Sequence, residues 1–164
     1  MPLIPNIDIP LTEIFIETGT YLGNGIKWAL NRGYKKIYSI ELINPYYNDA
    51  KNKFQENNEV IIINGNSTRV LPELIKNINK PITFWLDAHY MKRDPIQQII
   101  PEELRKTPII DELKAIRGHH LKNHIIMIDD IREYKKTIKT LNEIINLLKD
   151  LNINYIDDKN IIAK

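Results

Sequence analysis

The chain has 164 residues, 43% hydrophobic and 27% charged, a globular balance for one domain of ordinary size. It contains no cysteine, which excludes disulfides, thiolate zinc sites and cysteine nucleophiles. Its 23 basic and 21 acidic residues are interspersed, for a net charge of +2, which argues against a nucleic-acid partner, and its apolar runs are too short for a membrane span or a signal peptide, so a soluble, cytoplasmic protein is expected.

Residues 1–12, with Pro2, Pro5 and Pro10, read as an arm, followed by a single domain over 13–164. From there strands and helices alternate: TEIFIE, a strand; GIKWALNRG, a helix; KIYSIEL, a strand; NPYYNDAKNKFQEN, a helix; EVIIING, a strand; STRVLPELIKNI, a helix; ITFWLD, a strand. TPIIDELKAIRG then predicts a helix, HIIMID a strand, and YKKTIKTLNEIINLLKDL a helix with Ile138, Leu141, Ile144, Ile145 and Leu148 on its apolar face. Such β/α alternation predicts a parallel sheet covered by helices on both faces. At the end, INYIDDKNIIAK leaves only Asp157 to Asn160 between two short β-like runs, which predicts an antiparallel hairpin. Residues 88–106 have no clean period; a long segment beyond the carboxyl end of a strand is expected to form a lid or acceptor wall.

FIETGTYLGNG, at 15–25, is a tight turn between a strand and a helix. Its glycines at 19, 23 and 25 do not follow the G-x-G-x-x-G spacing of dinucleotide loops, and Glu17 precedes the first of them. A carboxylate at the mouth of this loop would repel a pyrophosphate and attract a cation such as the sulfonium and ammonium of S-adenosylmethionine. Glu41, ending the second strand, is placed to accept both ribose hydroxyls. Asn66 and Ser67 are candidates for the adenine edge, with a helix N-cap as the other role for Ser67; Tyr46 and Tyr47 either cover the adenine or pack their helix. Asp87 and His89 close the fourth strand, and Asp129 and Asp130 the fifth. Carboxylates converging there either hold a cation between them or cap turns and contact the acceptor. His89 is a candidate general base or a hydrogen-bonding wall residue. His119, His120 and His124 do not share one helical face and are expected to be turn residues at the end of the sheet remote from the ligand.

Taken together, FIETGTYLGNG, YSIEL, FWLDAHY, TPIIDELKAI and HIIMIDD resemble a class I S-adenosylmethionine-dependent methyltransferase over nearly the whole chain. The resemblance implies a Rossmann-like three-layer α/β/α sandwich with a mostly parallel seven-stranded sheet, order 3-2-1-4-5-7-6, and an antiparallel terminal hairpin. It implies that Glu17, Thr18, Gly19, Thr20, Gly23, Gly25, Glu41, Asn66 and Ser67 bind S-adenosylmethionine and that Asp87 and His89 face the transferred methyl group. The chain is also similar to magnesium-dependent sugar O-methyltransferases, in which aspartates corresponding to Asp87, Asp129 and Asp130 hold Mg2+ against the acceptor. It departs from its subgroup after LDAHY, where MKRDPIQQII replaces a run of small residues and glycines. The expected reaction is O-methylation of a sugar or nucleotide-sugar hydroxyl, with N-methylation of an amino sugar as the alternative. Two other classes, a nicotinamide-dependent oxidoreductase and a non-catalytic adenosyl-ligand-binding subunit, are separated from it by the cofactor bound and by turnover. The short arm suggests a homodimer whose second copy completes the acceptor wall.

Overall fold

The computed structural model describes residues 9–130, 138–149, 153–156 and 161–163. Strands β1 (Ile14–Thr18), β2 (Lys36–Glu41), β3 (Val60–Asn64), β4 (Ile82–Leu86) and β5 (Ile125–Ile128) pair in parallel in the order 3-2-1-4-5. β7 (Ile161–Ala163) lies antiparallel beside β5, and β6 (Ile153–Ile156) antiparallel beside β7. The expected turn at 157–160 and residues 1–8 of the expected arm lie outside the described residues. Ile9 is buried, and its carbonyl accepts a hydrogen bond from Arg32 at 3.0 Å.

The helices are α1 (Asn24–Arg32), α2 (Asn44–Lys53), α3 (Ser67–Ile75), α4 (Ile109–Gly118) and α5 (Ile138–Leu148). Among the described residues no helix is long and apolar enough to cross a membrane. Alternation along the strands sorts the core into two layers. Ile16, Phe84, Leu86, Ile126 and Ile128 face Leu71, Ile75, Ile109, Leu113, Ile144 and Leu148 of α3, α4 and α5. On the other face, Phe15, Ile37, Trp85 and Met127 pack with Ile26 and Ala29 of α1 and Ala50 of α2. Burying such side chains supplies about 1.5–3 kcal/mol each, the main favourable contribution to the fold.

Two helices are shorter than their sequence patterns. α2 stops at Lys53, where Phe54 turns inward and is buried under the glycine loop. α3 stops at Ile75, and Ile78 closes a turn onto its carbonyl. Ile145, expected on the inner face of the last helix, is instead 41% exposed.

Candidate active site

All five parallel strands point their carboxyl ends to one edge of the sheet, which is where open α/β sheets bind ligands. A cavity of about 820 Å³ opens there. One half is lined by Gly19, Tyr21, Glu41, Ile43, Tyr46 and Asn66, the other by Asp87, His89, Asp129, Asp130 and the 88–106 segment.

The glycine loop fits against the ends of β1, β2 and β4. Gly19 donates to the Ile40 carbonyl at 2.9 Å and has φ +85°, and a Cβ there would lie 2.6 Å from the carbonyl oxygen of Asp87. Only glycine allows this approach and this backbone conformation together. Tyr21 also has a left-handed backbone, φ +46°, which turns its amide onto Glu41.

Glu41 is buried at the cavity edge: Oε2 accepts the Tyr21 N–H at 2.9 Å and Oε1 the Ile43 N–H at 2.8 Å. Burial raises its pKa against the pull of these amides. The Thr20 and Leu42 amides also bear on this carboxyl, so the loop fixes its orientation at the cavity edge. Asn66, not Ser67, caps α3; its Oδ1 accepts the Thr68 N–H at 3.0 Å. That leaves the amide nitrogen of Asn66 for the cavity, while the Ser67 hydroxyl is turned to the buried Glu112 carboxyl.

Glu17 is not at the mouth of the loop, and this corrects the electrostatic argument made for it. On β1, Glu17 points with Phe15 to the α1 face of the sheet, away from the cavity, and is 2% exposed. It accepts a hydrogen bond from Ser39, whose hydroxyl lies 2.6 Å from that of Thr20. Burial raises its pKa well above the usual carboxyl value, against the pull of the Ser39 hydroxyl. Its carboxyl group fills the space a side chain at Gly25 would need: a Cβ there would lie 1.7 Å from Oε1. Glu17, Thr20 and Gly25 therefore shape the loop from beneath and line only a small crevice that shares Gly19, Tyr21 and Asp87 with the cavity, while Gly23 packs on Phe54. Thr18 is fully buried on the opposite face from Glu17 and does not line the cavity.

At the other half, the Nδ1 of His89 lies 3.3 Å from Asp87 Oδ1 and its Nε2 lies 3.3 Å from Asp130 Oδ2. Burial alone would lower the pKa of His89, but the adjoining carboxylates of Asp87, Asp130 and Asp129 outweigh it and raise the pKa. Burial likewise raises Asp87 against the opposing effect of His89. Asp129 is pushed up to about 6 by burial and by Asp87. Asp130 holds φ +51°, a conformation that aspartate tolerates better than most residues, with its N–H 2.8 Å from Asp129 Oδ1.

The group whose ligand atoms lie within 4.8 Å of one another is Asp87, His89 and Asp130. Asp129, expected as a ligand, is not in it. Two carboxylates bracketing an imidazole do not match the oxygen donors magnesium takes.

The 88–106 segment is built from turns around two short 3-10 stretches, Gln97–Ile99 and Glu102–Leu104. Arg105 binds the carbonyls of Ile100 and Gln98, each at 2.8 Å, and stacks on Tyr90. Tyr46 donates its hydroxyl to the Asp94 carboxylate and meets Tyr21 edge to face at 4.9 Å, joining α2 to this segment. Gln97 went unnoticed in the sequence because nothing in QQII marks one glutamine from the other. It is 5% exposed and lines the cavity.

His119 and His124 lie at the far edge of the sheet, as expected, but are buried. Their rings are linked Nδ1 to Nε2 at 2.9 Å; His119 Nε2 lies 3.0 Å from the Ile75 carbonyl, and His124 Nδ1 accepts the Ile82 N–H at 3.2 Å.

No protein-family model matches the chain, and no curated protein matches it. It is similar in structure to the SAH-bound methyltransferase PaMTH1 of Podospora anserina, at 15% identity and TM-score 0.67 over 93% of this chain and 71% of that one. It is also similar to cofactor-bound Rv0187 from MTB, at 16% identity and TM-score 0.63 over 93% and 72%. Aeropyrum pernix fibrillarin, with natively bound S-adenosyl-L-methionine, matches at 14% identity and TM-score 0.61 over 92% and 66%. The chain has the Rossmann-like α/β fold that these cofactor-bound proteins share.

Proposed function

We propose that the protein is an S-adenosylmethionine-dependent methyltransferase that methylates a hydroxyl of a small, sugar-like molecule. One observation carries this reading: a single cavity joins a glycine loop and ribose-type carboxylate, Gly19 and Glu41, to an imidazole held between two carboxylates. The fold shared with SAH- and SAM-bound proteins supports it.

The cofactor's sulfonium is already activated, so most of the catalysis is alignment of the acceptor oxygen with the methyl group and exclusion of water. A sugar hydroxyl also needs a base. His89 takes its proton as the O–CH3 bond forms and the S–CH3 bond breaks, leaving a methyl ether, neutral S-adenosylhomocysteine and an imidazolium between Asp87 and Asp130. Calorimetric titration with S-adenosylhomocysteine and, separately, NAD tests the reading. Micromolar binding of the thioether alone is expected; binding of NAD instead, or of neither, would overturn it. Turnover with any acceptor separates an enzyme from a non-catalytic binder.

A further inference from the structure

We propose that the acceptor is a polyhydroxylated molecule carrying a protonated amine and no phosphate, held between the carboxylates of the cavity's outer half and the amide of Gln97. This rests on the methyltransferase reading and deepens it.

Charge is the first observation. Glu41, Asp87, Glu103, Asp111, Asp129 and Asp130 bring carboxyl groups to the lining, against Lys106 and His89 as the basic residues. Only Glu41 belongs to the ribose end. The sulfonium balances one of the remaining charges and His89, when protonated, another. Low-dielectric walls focus what is left. A phosphate or diphosphate would meet several carboxylates with only Lys106 to answer it, which disfavours the nucleotide-sugar expected from the sequence. An ammonium instead sets a positive charge among these acids.

Gln97 is independent of charge. Its Oε1 accepts the Met91 N–H at 2.7 Å, which fixes the orientation of the carboxamide. The amide nitrogen has no hydrogen bond among the described residues, although the side chain is 95% buried on the cavity wall. On the wall of an open cavity that nitrogen is a donor a ligand's acceptor oxygen can use. Donor and carboxylates together match a ligand that has hydroxyls to share with the amide and a cation to set against the acids.

The test uses the full chain with labelled S-adenosylmethionine and three matched acceptor sets: amino sugars and aminoglycosides, their N-acetylated counterparts, and sugar phosphates with nucleotide-sugars. Methylation at a hydroxyl of the free-amine compounds, with kcat/KM at least about tenfold above the N-acetylated set and no transfer to the phosphates, is expected. Asp111→Asn should raise KM for the amine about three- to tenfold at little change in kcat, and Gln97→Glu, which removes the donor, should lose acceptor turnover while S-adenosylhomocysteine still binds. Preference for phosphates, equal use of the N-acetylated set, or no transfer to a hydroxyl of the free-amine compounds with S-adenosylhomocysteine bound normally would overturn the proposal. Failure to bind S-adenosylhomocysteine would sink the methyltransferase reading instead.

Discussion

His89 Nε2 lies 3.3 Å from Oδ2 of Asp130, a residue held in a left-handed backbone conformation at φ +51°. With Asp87 on the other ring nitrogen, this arrangement makes the imidazole a stronger base than a free histidine. A base must be neutral to act, so kcat/KM rises with pH through the raised pKa of His89. Asp130→Asn removes one of the carboxylates and should move that inflection to lower pH. His89→Gln should cut kcat by about 10²–10⁴ while leaving S-adenosylhomocysteine affinity near wild type. Full turnover in His89→Gln would remove the base from the mechanism.

At the glycine loop, Gly19→Ala puts a Cβ 2.6 Å from the Asp87 carbonyl in a backbone conformation that alanine avoids. The obstacle is backbone and cannot swing away. The ends of β1 and β4 must separate, and S-adenosylhomocysteine affinity should fall at least about tenfold, read by calorimetry, with about 1–3 kcal/mol lost from stability. Unchanged affinity would show that this part of the loop does not frame the ligand.

The five parallel strands were legible because each is a short β-rich run followed by a helical period, a pattern independent of tertiary detail. That Glu41 and His89 would line the cavity was legible because strand ends in such sheets meet at one edge. The role of Glu17 was not: whether a residue near a strand's end faces the ligand or the helix behind it depends on register and alternation, and Glu17 falls on the α1 side with Phe15. The cap of α3 moved one residue, to Asn66, for a similar reason, since Asn66 and Ser67 are both good caps and only backbone geometry chooses between them. His119 and His124 read as turn residues because burial of a histidine pair leaves no periodic trace.

The Tyr46 hydroxyl and the Asp94 carboxylate hold the 88–106 segment to α2 across the cavity's edge. Tyr46→Phe and Asp94→Ala each break that bond without enlarging the core. Hydrogen bonds to charged groups contribute about 1.5–3 kcal/mol, so release of S-adenosylhomocysteine should quicken about tenfold or more, measured by stopped flow, with little change in melting temperature. Release at the wild-type rate in both variants would mean that the ligand leaves by another route.

Glu112 on α4 is 1% exposed, its Oε1 has no hydrogen-bond partner among the described residues, and burial pushes its pKa up to about 7 against the hydroxyls of Ser67 and Thr18. In the unfolded chain the same carboxyl titrates near 4.5. The folded state therefore binds this proton more tightly, and the stability it contributes is complete below pH 4.5 and is lost as pH rises to about 7. The loss amounts to roughly 3 kcal/mol as an upper figure. His124 works in the opposite direction: burial and His119 lower its pKa to about 4, so the unfolded chain takes up a proton first as pH falls below 6.5 and stability drops toward pH 4. The two slopes oppose one another across nearly the same window. Glu112→Gln removes one of them, so its urea midpoint should gain on wild type between pH 4.5 and 7 and its own profile should fall more steeply in acid. A Glu112→Gln profile parallel to wild type across that window would show that Glu112 is ionised in the folded protein.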